Sequence, residues 1–332
     1  MSLRLHGDVV AAPGMLDFAV NVWPGEWPAT VRAALLAALD DPRYPDDRAA
    51  RETIGAHHGR GADEVLALNG ACEGFWLLAH ALRPRVAACV HPSFTEPEAA
   101  LRACGAEVVH VLRDSRDWSF DPEEVPARAA VVVVGNPNNP TGGLDPTETV
   151  LALLRPGRVV VVDESFMDFV AAPAPTLAGE THEGLVVVRS LTKLWTLAGV
   201  RAGYLLAPPQ LVATLAAQRQ PWSVNALALA ALEACARDRA TPRRVAADVA
   251  AARAELLAAL AALPGVQTWP GCANFLLLEV PDGEAVIGAL RAAGIAVRPA
   301  ASFPGLSRDH IRVAVRRPDD NRRLVEALAQ AL

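Results

Sequence analysis

Apolar positions fall into short unbroken runs through the first two thirds of the chain. Val65-Leu66-Ala67-Leu68, Val86-Ala87-Ala88-Cys89-Val90, Ala129 to Val134, Val159 to Val162 and Leu185 to Val188 are each four to six residues long and rich in β-branched side chains. Runs of that length read as strands, and the absence of alternation means both faces are covered. Glu107-Val108-Val109-His110-Val111 is a further strand, and helical patterns lie between, over Phe75 to Leu82 and Glu98 to Cys104. Strands alternating with helical crossovers predict a mainly parallel sheet in an α/β domain. Ahead of it, residues 1–28 carry breakers at Pro13-Gly14, Trp23-Pro24-Gly25 and Trp27-Pro28 and read as an irregular arm. Helices are predicted over Ala29 to Leu39, stopped by Asp40-Asp41-Pro42, and through Arg51 to His58.

After Asn225 the pattern changes. An Ala/Leu/Arg segment over 226–262 is helical, with a break expected near Thr241-Pro242. Strands follow at 266–269, 274–279, 295–298 and 310–315, with helices over 284–293 and 319–332. The expected division is an arm at 1–28 that goes with the small domain, a large domain at 29–225 and a smaller α+β domain at 226–332.

Composition narrows the function classes. Of 332 residues, 52% are hydrophobic and 20% charged, which belongs to a folded chain with a large core. A net charge of −6 with no basic run argues against a nucleic-acid surface. The first residues lack an apolar signal core and no apolar stretch reaches 18 residues, so a cytoplasmic protein without membrane insertion is expected. The five cysteines are scattered without Cys-x-x-Cys spacing, and His57 and His58 are adjacent and cannot share a helix face. No metal site is expected from them.

Candidate chemistry gathers at strand ends. Asn139, Asp163 and Lys193 all follow apolar runs, the place where ligands sit in open α/β sheets. Lys193 is preceded by the hydroxyls of Ser190 and Thr192, followed eight residues later by Arg201, and lies thirty residues after Asp163. An amine able to form a Schiff base, an anion site of Ser, Thr and Arg, and a carboxylate for a ring nitrogen are the groups that pyridoxal phosphate requires. Asn69-Gly70-Ala71-Cys72 joins a strand to a helix, where free backbone amides can cradle a phosphate.

With these motifs in order, the chain resembles the aspartate-aminotransferase superfamily of fold-type-I pyridoxal-phosphate enzymes. Asn136-Pro137-Asn138-Asn139-Pro140-Thr141-Gly142 is similar to the family's Asn-Pro-x-Asn-Pro-Thr-Gly loop, and Asp163-Glu164-Ser165-Phe166 to its Asp-Glu-Ala-Tyr box. The resemblance implies a large domain with a mainly parallel seven-stranded sheet plus a smaller α+β domain, with pyridoxal 5'-phosphate as cofactor. It implies that Lys193 carries the cofactor and moves protons on the substrate carbon, that Asp163 keeps the ring nitrogen protonated and that Asn139 bonds the ring oxygen. Ser190 and Arg201, with Gly70, Ala71 and Cys72, would hold the cofactor phosphate, and Phe94 would stack on the ring. Phe166 stands where Tyr is usual and lacks that hydroxyl. Tyr44 is similar to a tyrosine that reaches the other subunit's phosphate, which implies a homodimer. Arg312 would grip the substrate carboxylate, and Asn21 and His6 of the arm would close over a small phosphorylated amino acid or amine, with Arg219 as a further substrate-orienting group.

Within the superfamily the chain looks like both histidinol-phosphate aminotransferase and threonine-phosphate decarboxylase. Leu5-His6-Gly7-Asp8, Leu16 to Asn21, Phe166-Met167-Asp168-Phe169 and Pro221 to Asn225 lean toward the decarboxylase type. Decarboxylation of L-threonine O-3-phosphate to 1-amino-2-propanol phosphate, for cobalamin biosynthesis, is therefore expected ahead of transamination. Asp8, Ala19 and Trp23 depart from the decarboxylase pattern of the arm.

Overall fold

All of the apolar runs but Val65–Leu68 assemble as parallel neighbours, and the computed structural model describes residues 7–332. In chain order the elements are β1 (Leu16–Asp17), α1 (Ala29–Leu39), α2 (Arg48–His58), β2 (Val65–Leu68), α3 (Ala71–Leu82), β3 (Val86–His91), α4 (Glu96–Ala103) and β4 (Glu107–Leu112). There follow β5 (Val131–Gly135), α5 (Thr147–Leu151), β6 (Val159–Asp163), β7 (Leu185–Ser190), β8 (Gly203–Leu206), α6 (Pro209–Ala216), α7 (Ala226–Arg237) and α8 (Ala240–Ala261). The chain ends through β9 (Gln267–Thr268), β10 (Phe275–Glu279), α9 (Gly283–Ala292), β11 (Ile295–Ala296), β12 (Arg298–Pro299), β13 (His310–Ala314) and α10 (Pro318–Ala331).

Seven strands form one sheet in the order β2-β8-β7-β6-β5-β3-β4. Only β8 runs against its neighbours; β3, β4, β5, β6 and β7 pair in parallel. Alternate valines separate to the two faces: Val132, Val134, Val160, Val162 and Val187 join one core, and Val131, Val133, Val161, Val186 and Val188 the other. Burial on both sides is why these strands show no polar alternation. A second, antiparallel sheet has the order β12-β13-β10-β9.

Several boundaries differ from expectation. β8 was not anticipated, because its four residues begin with a glycine and follow a run of turn residues. The long helix breaks at Asp238-Arg239, ahead of Thr241-Pro242, and the Asp238 carboxylate caps α8 by accepting from the amides of Ala240 (3.0 Å) and Thr241 (2.9 Å). Pro242 then falls in the first helical turn, where its missing N–H costs nothing. The expected single strand over 295–298 divides, β11 pairing with β1 and β12 with β13. Through that pairing the arm is tied down: the Phe18 amide donates to the Ala296 carbonyl (2.8 Å), and Arg316 donates to the carbonyls of Asp17 (2.7 Å) and Val20 (2.6 Å).

Candidate active site

Three parallel strands deliver the central groups. β7 ends at Ser190, whose hydroxyl lies 2.7 Å from that of Thr192, and the next residue is Lys193. The lysine is partly buried, and its carbonyl accepts from the Trp23 amide at 3.0 Å. Burial, with Arg312 and Arg201 nearby, pulls the amine down to about 8, against the opposing pull of Asp163 and Asp8. About a tenth of it is therefore an uncharged nucleophile at pH 7, far more than for an ordinary lysine.

β6 ends at Asp163, and one carboxylate oxygen of this residue accepts from the Ser165 amide at 3.0 Å. Burial raises its pKa. Its neighbour Glu164 is taken up by Arg189 (2.8 Å), by Thr176 and by the Leu177 amide, so of this pair Asp163 is the one that faces the cavity. Phe166 is buried edge-on against Phe275, ring centroids 4.9 Å apart. After β5, Asn138 donates to the Pro92 carbonyl (3.0 Å) and to Thr141 Oγ1 (2.9 Å), which shapes the loop that presents Asn139.

A glycine makes the anion corner possible. Gly70 has φ +92°, and a Cβ there would come within 2.6 Å of Arg201 Nη2. The guanidinium thus packs closely against Gly70 on the turn that opens α3. Arg201 itself is anchored by donating to the Ala198 carbonyl at 3.0 Å.

The opposite wall comes from the smaller sheet. Arg312 Nη1 donates to Asn139 Oδ1 and Nη2 to the Ala19 carbonyl, each at 2.6 Å. Burial beside Arg298 pulls Arg312 below the usual arginine range, though it remains a cation at neutral pH. In the register of the two strands Arg298 is the direct partner of Arg312. Arg298 donates to Ser302 Oγ (2.7 Å) and the Pro299 carbonyl (2.7 Å), with its guanidinium 5.1 Å from the Phe303 ring centre. Asn21 is buried on the same wall, and neither its amide oxygen nor its nitrogen has a partner among the described residues.

These groups surround one cavity of about 590 Å³. Of the residues named from sequence, Asn21, Ala71, Cys72, Phe94, Asn139, Asp163, Phe166, Ser190, Lys193, Arg201 and Arg312 line it. Gly70 sits behind the Arg201 guanidinium. Tyr44 does not line the cavity: it is exposed and stacks on Trp222, ring centroids 4.5 Å apart. Arg219 also lies elsewhere, held by Glu73 (2.9 Å) and the Ala67 carbonyl (2.8 Å), so it is not a substrate-orienting group in this cavity. His6 falls outside the described residues. Sequence reading named Asp8 only as a departure in the arm, and gave Arg298 and Phe303 no role, though Arg298 shows as a charge closing an apolar strand.

A family profile described as aminotransferase class I and II matches residues 13–328. The chain belongs to the class I and II aminotransferase family. A histidinol-phosphate aminotransferase of Mycobacterium tuberculosis is 45% identical over 325 residues, 94% of this chain and 87% of that protein. A threonine-phosphate decarboxylase of Salmonella typhimurium is 33% identical over 334 residues, 96% of this chain and 91% of that one. Among solved structures, the histidinol-phosphate aminotransferase from Clostridium acetobutylicum superposes with a TM-score of 0.89 at 25% identity, covering 95% of this chain and 98% of the other.

Class I and II aminotransferases are pyridoxal-phosphate enzymes. The groups of this cavity fit that cofactor: an amine depressed by burial, a buried carboxylate with one capped oxygen, and a glycine-shaped corner of amides, hydroxyls and a guanidinium. Among the described residues, no helix is long and apolar enough to cross a membrane.

Proposed function

We propose that this aminotransferase-family enzyme decarboxylates L-threonine O-3-phosphate, releasing carbon dioxide and 1-amino-2-propanol phosphate. One observation carries the reading: Arg298 and Arg312 are direct cross-strand partners on one wall of the cavity that Lys193 enters. Two guanidinium groups side by side suit a small substrate with two anionic ends, a carboxylate and a phosphate.

In this reading Ser190, Arg201 and the amides of Ala71 and Cys72 hold the cofactor phosphate, Asp163 holds a proton at the ring nitrogen, and Phe94 covers the ring. When bound, pyridoxal phosphate supplies an electron sink for the pair left on the substrate Cα. Arg312 and Arg298 fix the substrate's two anions, and through them which Cα bond is placed for cleavage. Lys193, with an amine near pKa 8, returns a proton to Cα once carbon dioxide has left. Asn21 donates to or accepts from the substrate with an amide that has no partner among the described residues. The exposed Tyr44, stacked on Trp222, supports a homodimer in which it serves the partner's cofactor phosphate.

Transamination of histidinol phosphate is the second reading, favoured by the 45% identity to relatives of that name. It uses the same lysine and carboxylate. The two-anion reading is tested by comparing L-threonine O-3-phosphate with unphosphorylated L-threonine. Loss of one charge-assisted anion contact is expected to lower kcat/KM for carbon dioxide release by roughly 10- to 100-fold. Equal turnover of the two would overturn it.

A further inference from the structure

We propose that His91, Glu98 and His110 form a binding site for a divalent transition metal of the Zn²⁺ class, beneath the loop that carries Phe94. The three residues are brought together by the parallel pairing of β3 and β4 and by α4, which crosses that face of the sheet. Register places Cys89 opposite His110, and His91 lies two residues after Cys89, so all three side chains leave the sheet on one face. Glu98, in the first turn of α4, meets them. Their donor atoms all lie within 4.8 Å of one another.

Two observations distinguish this cluster from an ordinary buried ion pair. His91 is fully buried and Glu98 nearly so, yet His91 Nδ1, His91 Nε2 and Glu98 Oε2 have no hydrogen-bond partner among the described residues. The Nε2 and Oε2 atoms lie 2.9 Å apart without the alignment of a hydrogen bond. Buried polar atoms left this way are costly, whereas lone pairs converging on a common point are what a metal requires. On the other side His110 Nε2 is 2.8 Å from Glu98 Oε1. Donors bound at about 2.0–2.1 Å in a tetrahedron stand roughly 3.3 Å apart, so the two His–Glu contacts must lengthen and the three donors, now within 4.8 Å of one another, must draw to that spacing to take the ion. Two imidazoles and a carboxylate are a Zn²⁺ donor set with one position left for water.

Arg102 competes with the metal, donating to Glu98 Oε1 at 2.7 Å, but its side chain is 45% exposed and free to swing into solvent. His110, on the edge strand and 34% exposed at its side chain, gives the entry path.

Such a site would brace the active-site loop from behind. His91 ends β3, the Pro92 carbonyl accepts from Asn138, and Phe94 lines the cavity two residues further on. In sequence the ligands are spaced 7 and 12 residues apart on two strands and a helix, which matches no short metal motif.

The test is titration of chelator-treated holoenzyme with ZnCl₂ by calorimetry, with Co²⁺ absorbance as a second probe of tetrahedral binding. Wild type is expected to take up one ion per chain, with a rise in melting temperature. His110→Ala should weaken binding at least about 10-fold without unfolding, since it truncates an edge-strand side chain, and Arg102→Ala should tighten it. His110→Gln provides the same loss if the alanine variant folds poorly. Failure of wild type to bind one ion per chain, or binding by both His110 variants at wild-type strength, would overturn the proposal, the latter by placing the ion on thiols.

Discussion

Arg298 and Arg312 stand opposite each other across two antiparallel strands, and both reach the cavity that Lys193 enters from the other sheet. Their bonding is unequal. Arg312 is clamped to Asn139 and the Ala19 carbonyl, whereas Arg298 is turned onto Ser302 and the face of Phe303. Replacement of either by Gln removes one charge-assisted anion contact and should raise KM for L-threonine O-3-phosphate roughly 10- to 100-fold. Arg312→Gln should lower kcat as well, because Asn139 loses the partner that holds it. Steady-state kinetics of the two variants checks both statements, and an unchanged KM in Arg298→Gln would remove that residue from substrate binding.

Lys193 makes stability depend on pH in a way that can be isolated. Its folded pKa of about 8 lies below the ordinary lysine value of about 10.4. Between those values the unfolded chain binds more protons than the folded one, so this group's contribution to stability rises with pH through that window and is unfavourable below it. Cofactor-free Lys193→Met should therefore melt higher than cofactor-free wild type at pH 7, on the order of 2 °C, with the gap closing as pH rises past 8. A gap independent of pH would show that the lysine is not depressed.

Gly70→Ala tests the anion corner. The position needs φ +92°, and the new methyl would meet Arg201 Nη2 at 2.6 Å. A strain of roughly 1–3 kcal/mol is expected, with displacement of the guanidinium and weaker retention of pyridoxal phosphate on dialysis. Retention equal to wild type would separate Arg201 from the cofactor phosphate.

Asn21 keeps a buried amide without a partner among the described residues, which costs stability unless a ligand uses it. Asn21→Ala should leave the melting temperature of the free enzyme unchanged or raised while KM rises roughly 10-fold. A lowered melting temperature with unchanged KM would make Asn21 a structural residue.

Much of this site could be read from sequence because the groups proposed to handle a flat, phosphorylated cofactor belong to fixed motifs near strand ends. Asn139, Asp163, Ser190, Lys193 and Arg201 all belong to such motifs, and the valine runs placed their strands. What escaped was set by pairing between distant segments. β8 is short and led by glycine, and its place is determined by β2 and β7 on either side. Arg298 looked like a strand-end charge until its register with Arg312 was seen. Arg219 looked available until its ion pair with Glu73 was seen. His91, Glu98 and His110 become neighbours only through the β3–β4 register and the course of α4.

In the proposed function the cavity directs its substrate toward loss of the carboxylate. Purified holoenzyme is incubated with L-threonine O-3-phosphate alone, and in parallel with histidinol phosphate plus 2-oxoglutarate, and both carbon dioxide and glutamate are measured. Carbon dioxide from the first mixture, without glutamate from the second, is the predicted result. Glutamate formation from histidinol phosphate, with no carbon dioxide from threonine phosphate, would contradict it.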